Sequence, residues 1–182
     1  MAGKETFRQI PRRIFYHDEV IRLDSNCRLL YLVVSITANT AGITATNTLK
    51  LINETKLSKE EIRRCIAVMN GTGLFEYDEE TGEFFTPITI KQGNTSSDKN
   101  TKGLLNELLM VQSYTVLTKA LECVRKHWAG LTQTPKDSSE SKVKACEKRQ
   151  TEINELLERV EKYRASLKRL EDERAKGEVA RV

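Results

Sequence analysis

The sequence predicts a mainly α-helical protein with a small β-hairpin, followed by long helices that form a helical hairpin or a coiled coil. Three observations carry that prediction. The stretch 56–75 has a written helix start and a written helix stop. The stretch 74–88 reads as two short strands around a glycine turn. Ile153, Leu156, Val160, Tyr163, Leu167 and Leu170 recur at spacings of 3, 4, 3, 4 and 3, the a/d seam of a packed helix.

At 182 residues the chain holds one domain, or a small domain plus an extension. Charged residues make up 31%, apolar residues 38% and aromatics 6%. That is polar for one compact globule and implies a long solvated helix. The net charge of +4 permits an anionic partner without demanding one. Cys27, Cys65, Cys123 and Cys146 form no CxxC pair, and three of them fall in apolar helical patterns, as buried free thiols do. Residues 1–13 lead into no apolar stretch of a signal peptide. No apolar run approaches the roughly 18 residues of a membrane span. The expectation is a cytoplasmic protein with reduced thiols and no membrane partner.

Residues 1–13 form a basic arm with Lys4, Arg8, Arg12 and Arg13. It reads either as a phosphate-seeking arm or as an ordinary polar terminus pinned by Ile10 and Phe15. After a short lead-in, Asp24 or Ser25 caps a first helix whose wide apolar face is Leu29, Leu30, Leu32, Val33 and Ile36. Ile43-Thr44 is a short strand. Thr46 or Asn47 starts a helix over about 47–55, and 53–56 turns into the next. There Ser58 and Glu61 match a capping box, and Leu57 and Ile62 a hydrophobic staple. Ile62, Cys65, Ile66 and Met69 define the buried face, while Lys59, Glu60, Arg63, Arg64 and Ala67 lie opposite. Asn70 and Gly71 are expected to end the helix. Strands follow at 74–77 and 83–88, joined by a tip with Gly82 for a positive φ. A short helix, a capped helix and a two-stranded wing, in that order, make a winged helix-turn-helix over 1–91.

The segment 7–34, with Ile10-Pro11-Arg12-Arg13-Ile14-Phe15 running into Leu29-Leu30-Tyr31, and Gly73-Leu74 ahead of the wing, resembles the N-terminal winged-helix domains of phage and plasmid replication initiators of the replisome-organiser type. The resemblance covers about half the chain. It implies a module that binds double-stranded DNA and is recruited to replication or to transcription, with a replication protein as a further partner. In a helix-turn-helix the second helix enters the major groove. The candidate DNA-binding residues are therefore Thr55, Lys56, Lys59, Arg63 and Arg64, with Arg12 and Arg13 added from the basic arm. The alternative is a solvated face laced by a Glu60–Arg64 pair. The family's basic wing is missing: the tip carries Asp78, Glu79, Glu80 and Glu83, which phosphates would repel.

Residues 92–103 read as a polar linker, 104–131 as one long amphipathic helix, 132–141 as a second linker and 142–176 as a coiled-coil helix, with a frayed tail at 177–182. Three heptads are marginal alone, so the last helix needs a partner. Self-association through Ile153, Leu156, Val160, Tyr163, Leu167 and Leu170 makes a homo-oligomer; a return onto 104–131 makes a hairpin within one chain. The first is the favoured expectation.

No GxxxxGK[ST] or GxGxxG loop is present, and no carboxylate pair sits in an apolar pattern that would tune it for acid–base work. Cys123 and His127 share a helix face, but two ligands are too few for structural zinc. No enzyme activity, cofactor or metal is expected. Two classes of function remain: a DNA-binding replication initiator or winged-helix transcriptional regulator, and a protein-interaction adaptor that binds no DNA.

Overall fold

The structure is a computed structural model that describes residues 17–87, 90, 98–131 and 140–179. Arg12 and Arg13, with the rest of the basic arm, lie outside the described residues, as do most of the second linker and the end of the tail. The described part is mainly helical with one small antiparallel sheet. Its elements are α1 (Asp18–Ile21), α2 (Ser25–Thr37), β1 (Ile43–Ala45), α3 (Thr48–Thr55), α4 (Lys59–Thr72), β2 (Glu76–Asp78), β3 (Glu83–Phe85), α5 (Asp98–Leu108), α6 (Tyr114–Leu131) and α7 (Glu140–Val179).

The local signals place the first helices well. Asp24 caps α2 by accepting from the Cys27 N–H, Asn47 caps α3 by accepting from Lys50 N–H, and Ser58 and Glu61 form the complete capping box of α4. Lys56 ends α3 with φ of 61°, a left-handed conformation uncommon outside glycine. The expected stop of α4 at Asn70-Gly71 is two residues early. The helix runs to Thr72, and Gly73 takes the left-handed terminus at φ of 71°, so Gly71 is spent inside the helix. Both hairpin strands are also shorter than expected.

The sheet runs β1-β3-β2, with Ile43 opposite Phe85, and Thr44 and Tyr77 opposite Phe84. Successive side chains of a strand point to opposite faces. Here Phe84 and Phe85 therefore serve two different cores. Phe84 packs edge-on to Phe75 and stacked on Tyr77, in the core built from α1–α4 around Leu30, Tyr31, Ile62 and Met69. Phe85 joins Ala41 and Ile43 in a second core with α5, α6 and α7. The sheet is thus covered on both faces, by α1–α4 on one and by α5–α7 on the other.

The second core corrects three expectations. First, the polar stretch 92–103 is not all linker. Helix α5 begins at Asp98, and Thr101 within it is buried. Glu107 on α5 accepts from Thr40 Oγ1 and Ala41 N–H of the first half. Second, 104–131 is two helices. Glu83 is 6% exposed, and its carboxylate accepts from the Gln112 and Ser113 amides at 2.7–3.0 Å. Ser113 Oγ in turn caps α6 by accepting from Val116 N–H. A carboxylate at a helix N-terminus satisfies orphan amides and meets the positive end of the dipole, so Glu83 fixes the break.

Third, the a/d seam is occupied within the chain. Ile153, Val160 and Leu167 are buried in the second core, Leu156 and Tyr163 are partly buried there, and Leu170 alone of the six is exposed. Helix α7 crosses both partners. Glu152 pairs with Lys102 on α5, Glu161 with Arg125 on α6, and Tyr163 Oη donates to Val111 O at 2.7 Å. The favoured expectation of self-association through this seam gives way to packing within the chain, because α5 and α6 supply the apolar surface the seam needs.

Gly82 closes the hairpin at φ of 68°, and a Cβ there would stand 2.5 Å from Thr46 O. Thr46 N–H donates to Gly82 O at 2.9 Å, so the two backbones cannot part freely. Gly82→Ala is expected to cost about 1–3 kcal/mol, seen as a lower urea midpoint. An unchanged midpoint would contradict the tight approach.

Candidate nucleic-acid interface

Helices α3 and α4 and strand β2 border a groove of about 450 Å³ lined by Thr48, Ile62, Arg63, Ile66, Ala67, Asn70, Tyr77 and Glu79. Lys59 and Arg63 are exposed on α4, and Lys56 is exposed in the turn before it. Neither Lys59 nor Arg63 forms an ion pair with another described residue. Tyr77 forms the far wall. Burial, then Glu79 and Asp78, push its hydroxyl above the usual tyrosine value, while the nearby Arg63 pulls the other way.

Two sequence candidates are committed elsewhere. Thr55 is buried: its Oγ1 donates to Leu51 O at 2.7 Å and accepts from Leu57 N–H at 3.2 Å. It shapes the turn and is not free to meet a ligand. Arg64 pairs with Asp24 of the α2 cap at 2.7 Å, not with Glu60. The Arg64 hydrogen bond, with that of Cys27 N–H, holds the Asp24 carboxyl well below the usual carboxylate range. Because the folded value is depressed, this clamp contributes fully above the ordinary value of 3.8 and is lost as pH falls toward the folded one. Asn26 Nδ2 donates to Glu61 Oε1 beside it. Arg64 thus orients α4 on α2.

The acidic tip is less free than its composition suggests. Glu83 points into the second core, Glu80 pairs with Arg174 of α7 at 2.6 Å, and Asp78 Oδ1 accepts from Glu80 and Thr81 N–H. A second groove of about 360 Å³, between the end of α4 and α6, carries Lys119 and Lys126 against Glu76 and Glu122. Its charges balance, so it offers no sign preference.

Distant parts of the chain also meet in ways the sequence hides. Asp24, Cys27 and Cys65 bring one ligand atom each within 4.8 Å of one another. Both cysteines are fully buried, and Cys27 Sγ–H donates to Asp24 Oδ2 at 3.4 Å. Burial, followed by Cys65, pushes the Cys27 thiol up to about 12. Spacing could not have found this set, since α2 and α4 lie far apart in sequence. Cys123 is half-buried with Sγ 3.9 Å from Pro87 O, and the His127 side chain lies outside the described residues.

Comparison with family models, curated proteins and solved structures finds no match. Among the described residues no helix is long and apolar enough to cross a membrane.

Proposed function

We propose that the chain is a DNA-binding protein in which α3 and α4 act as the helix-turn-helix of a winged helix and α4 enters the major groove. The observation that carries this reading is the set of exposed cations around the start of α4, where Glu60 is the exposed carboxylate among them. Lys56, Lys59 and Arg63 stand together there, beside the open groove. Most of the tip carboxylates that would oppose phosphate are engaged with α6, α7 or their own turn. Lys59 and Arg63 contact DNA; Arg64 and Thr55 position the helix that carries them. The resemblance to replication initiators supports a role in replication over transcriptional control.

The test is fluorescence anisotropy with a pool of random duplexes from low to moderate salt. The wild type is expected to bind with a negative log–log salt slope. Lys59→Ala/Arg63→Ala is expected to make that slope shallower by about 2, one unit per lost phosphate contact. Arg64→Ala is expected to lower stability and leave the slope nearly unchanged. No binding at low salt would refute the reading and favour an adaptor whose groove takes a protein segment.

A further inference from the structure

We infer that Asp24, Cys27 and Cys65 form a binding site for a thiophilic divalent ion of the zinc class at the junction of α2 and α4. The inference stands independently of the DNA-binding reading.

The donor set has the right chemistry. Two sulfurs and one carboxylate oxygen suit a borderline-soft ion, and three protein ligands with an open fourth position is an established zinc arrangement. The scale also fits. A tetrahedral ion with sulfurs about 2.3 Å away holds those sulfurs about 3.8 Å apart, a small contraction from a cluster already within 4.8 Å. The two thiols close the inner side, both fully buried, while the Asp24 side chain is 48% exposed. The fourth position therefore faces solvent and suits water.

The charges close as well. Binding releases the two thiol protons to solvent, and the Cys27 S–H bond to Asp24 is replaced by bonds from both groups to the ion. Two thiolates and one carboxylate carry three negative charges. The ion supplies two positive charges and Arg64 the third. Arg64 already touches both ends of the cluster, with Nη1 on Asp24 Oδ2 at 2.7 Å and Nη2 on Cys65 Sγ at 3.7 Å. It is thus placed to balance the filled site by hydrogen-bonding the ligands themselves, and partners of that kind orient metal ligands. A redox or nucleophilic role for these cysteines fits less well, because both thiols are buried, and reactive cysteines are partly exposed thiolates. The ion would tie α4 to the start of α2 at the point where Arg64 and Glu61 already do.

The experiment is a cobalt(II) titration of the reduced full chain without oxygen. A thiolate-to-cobalt charge-transfer band in the near ultraviolet is expected, saturating at one ion per chain and abolished by added zinc. Cys65→Ser removes the band and Cys123→Ser keeps it. Asp24→Asn, which retains a good helix cap, is expected to weaken cobalt at least about tenfold and provides the check if Cys65→Ser fails to fold. A wild type with no such band overturns the site. So does a band that survives in folded Cys65→Ser, or an affinity unchanged in Asp24→Asn.

Discussion

Val160→Asp is expected to unfold the C-terminal helices at every protein concentration. Val160 is fully buried in the second core, and a carboxylate there would replace apolar contacts and lose its water. The cost belongs to the class above about 4 kcal/mol, against a total stability of about 5–15 kcal/mol for a domain. The concentration dependence decides the meaning. If α7 packs on α5 and α6 of its own chain, the wild type scatters light as one chain, and its urea midpoint does not move with dilution. If the seam instead joins copies, the wild type has at least twice that mass and the variant is a folded single chain. A folded Val160→Asp that retains its helix content would refute packing within the chain.

Phe84→Ala and Phe85→Ala are expected to destabilise by about 3–5 kcal/mol each, although the two side chains lie on opposite faces of β3. Both are at most 2% exposed. Because one strand serves both cores, either variant should loosen both halves. Hydrogen exchange is the discriminating measurement. Phe84→Ala should speed exchange in α5–α7 as well as in α2 and α4, and Phe85→Ala should do the converse. Exchange confined to the half that lost its ring would mean that the two cores unfold independently.

These predictions rest on what the sequence reveals unevenly. Helix starts are legible because their chemistry is local: Asp24, Asn47 and the Ser58–Glu61 box each act within three residues. The seam of α7 is legible as an apolar stripe, but a stripe names no partner, and Leu105, Leu117 and Leu121 serve as well as a second copy. Glu83 is misread for the same reason. Glu79 and Glu80 of the same tip are exposed, while its own amide partners are at Gln112 and Ser113. In the candidate interface, Lys59 and Arg63 stay where helical spacing puts them. Arg64, one position on, is claimed by Asp24 on another helix. Periodicity resolves which face a residue takes, not which neighbour waits there.

The double-faced sheet has a consequence for the chain during synthesis. When Phe85 leaves the ribosome, the α1–α4 core is complete in sequence, yet Ala41, Ile43 and Phe85 still lack their cover. That cover ends at Leu167, which at about 5–20 residues per second arrives roughly 4–16 s later. For that interval the nascent protein displays a bare apolar sheet face, a surface that chaperones bind and that neighbouring nascent chains can find first.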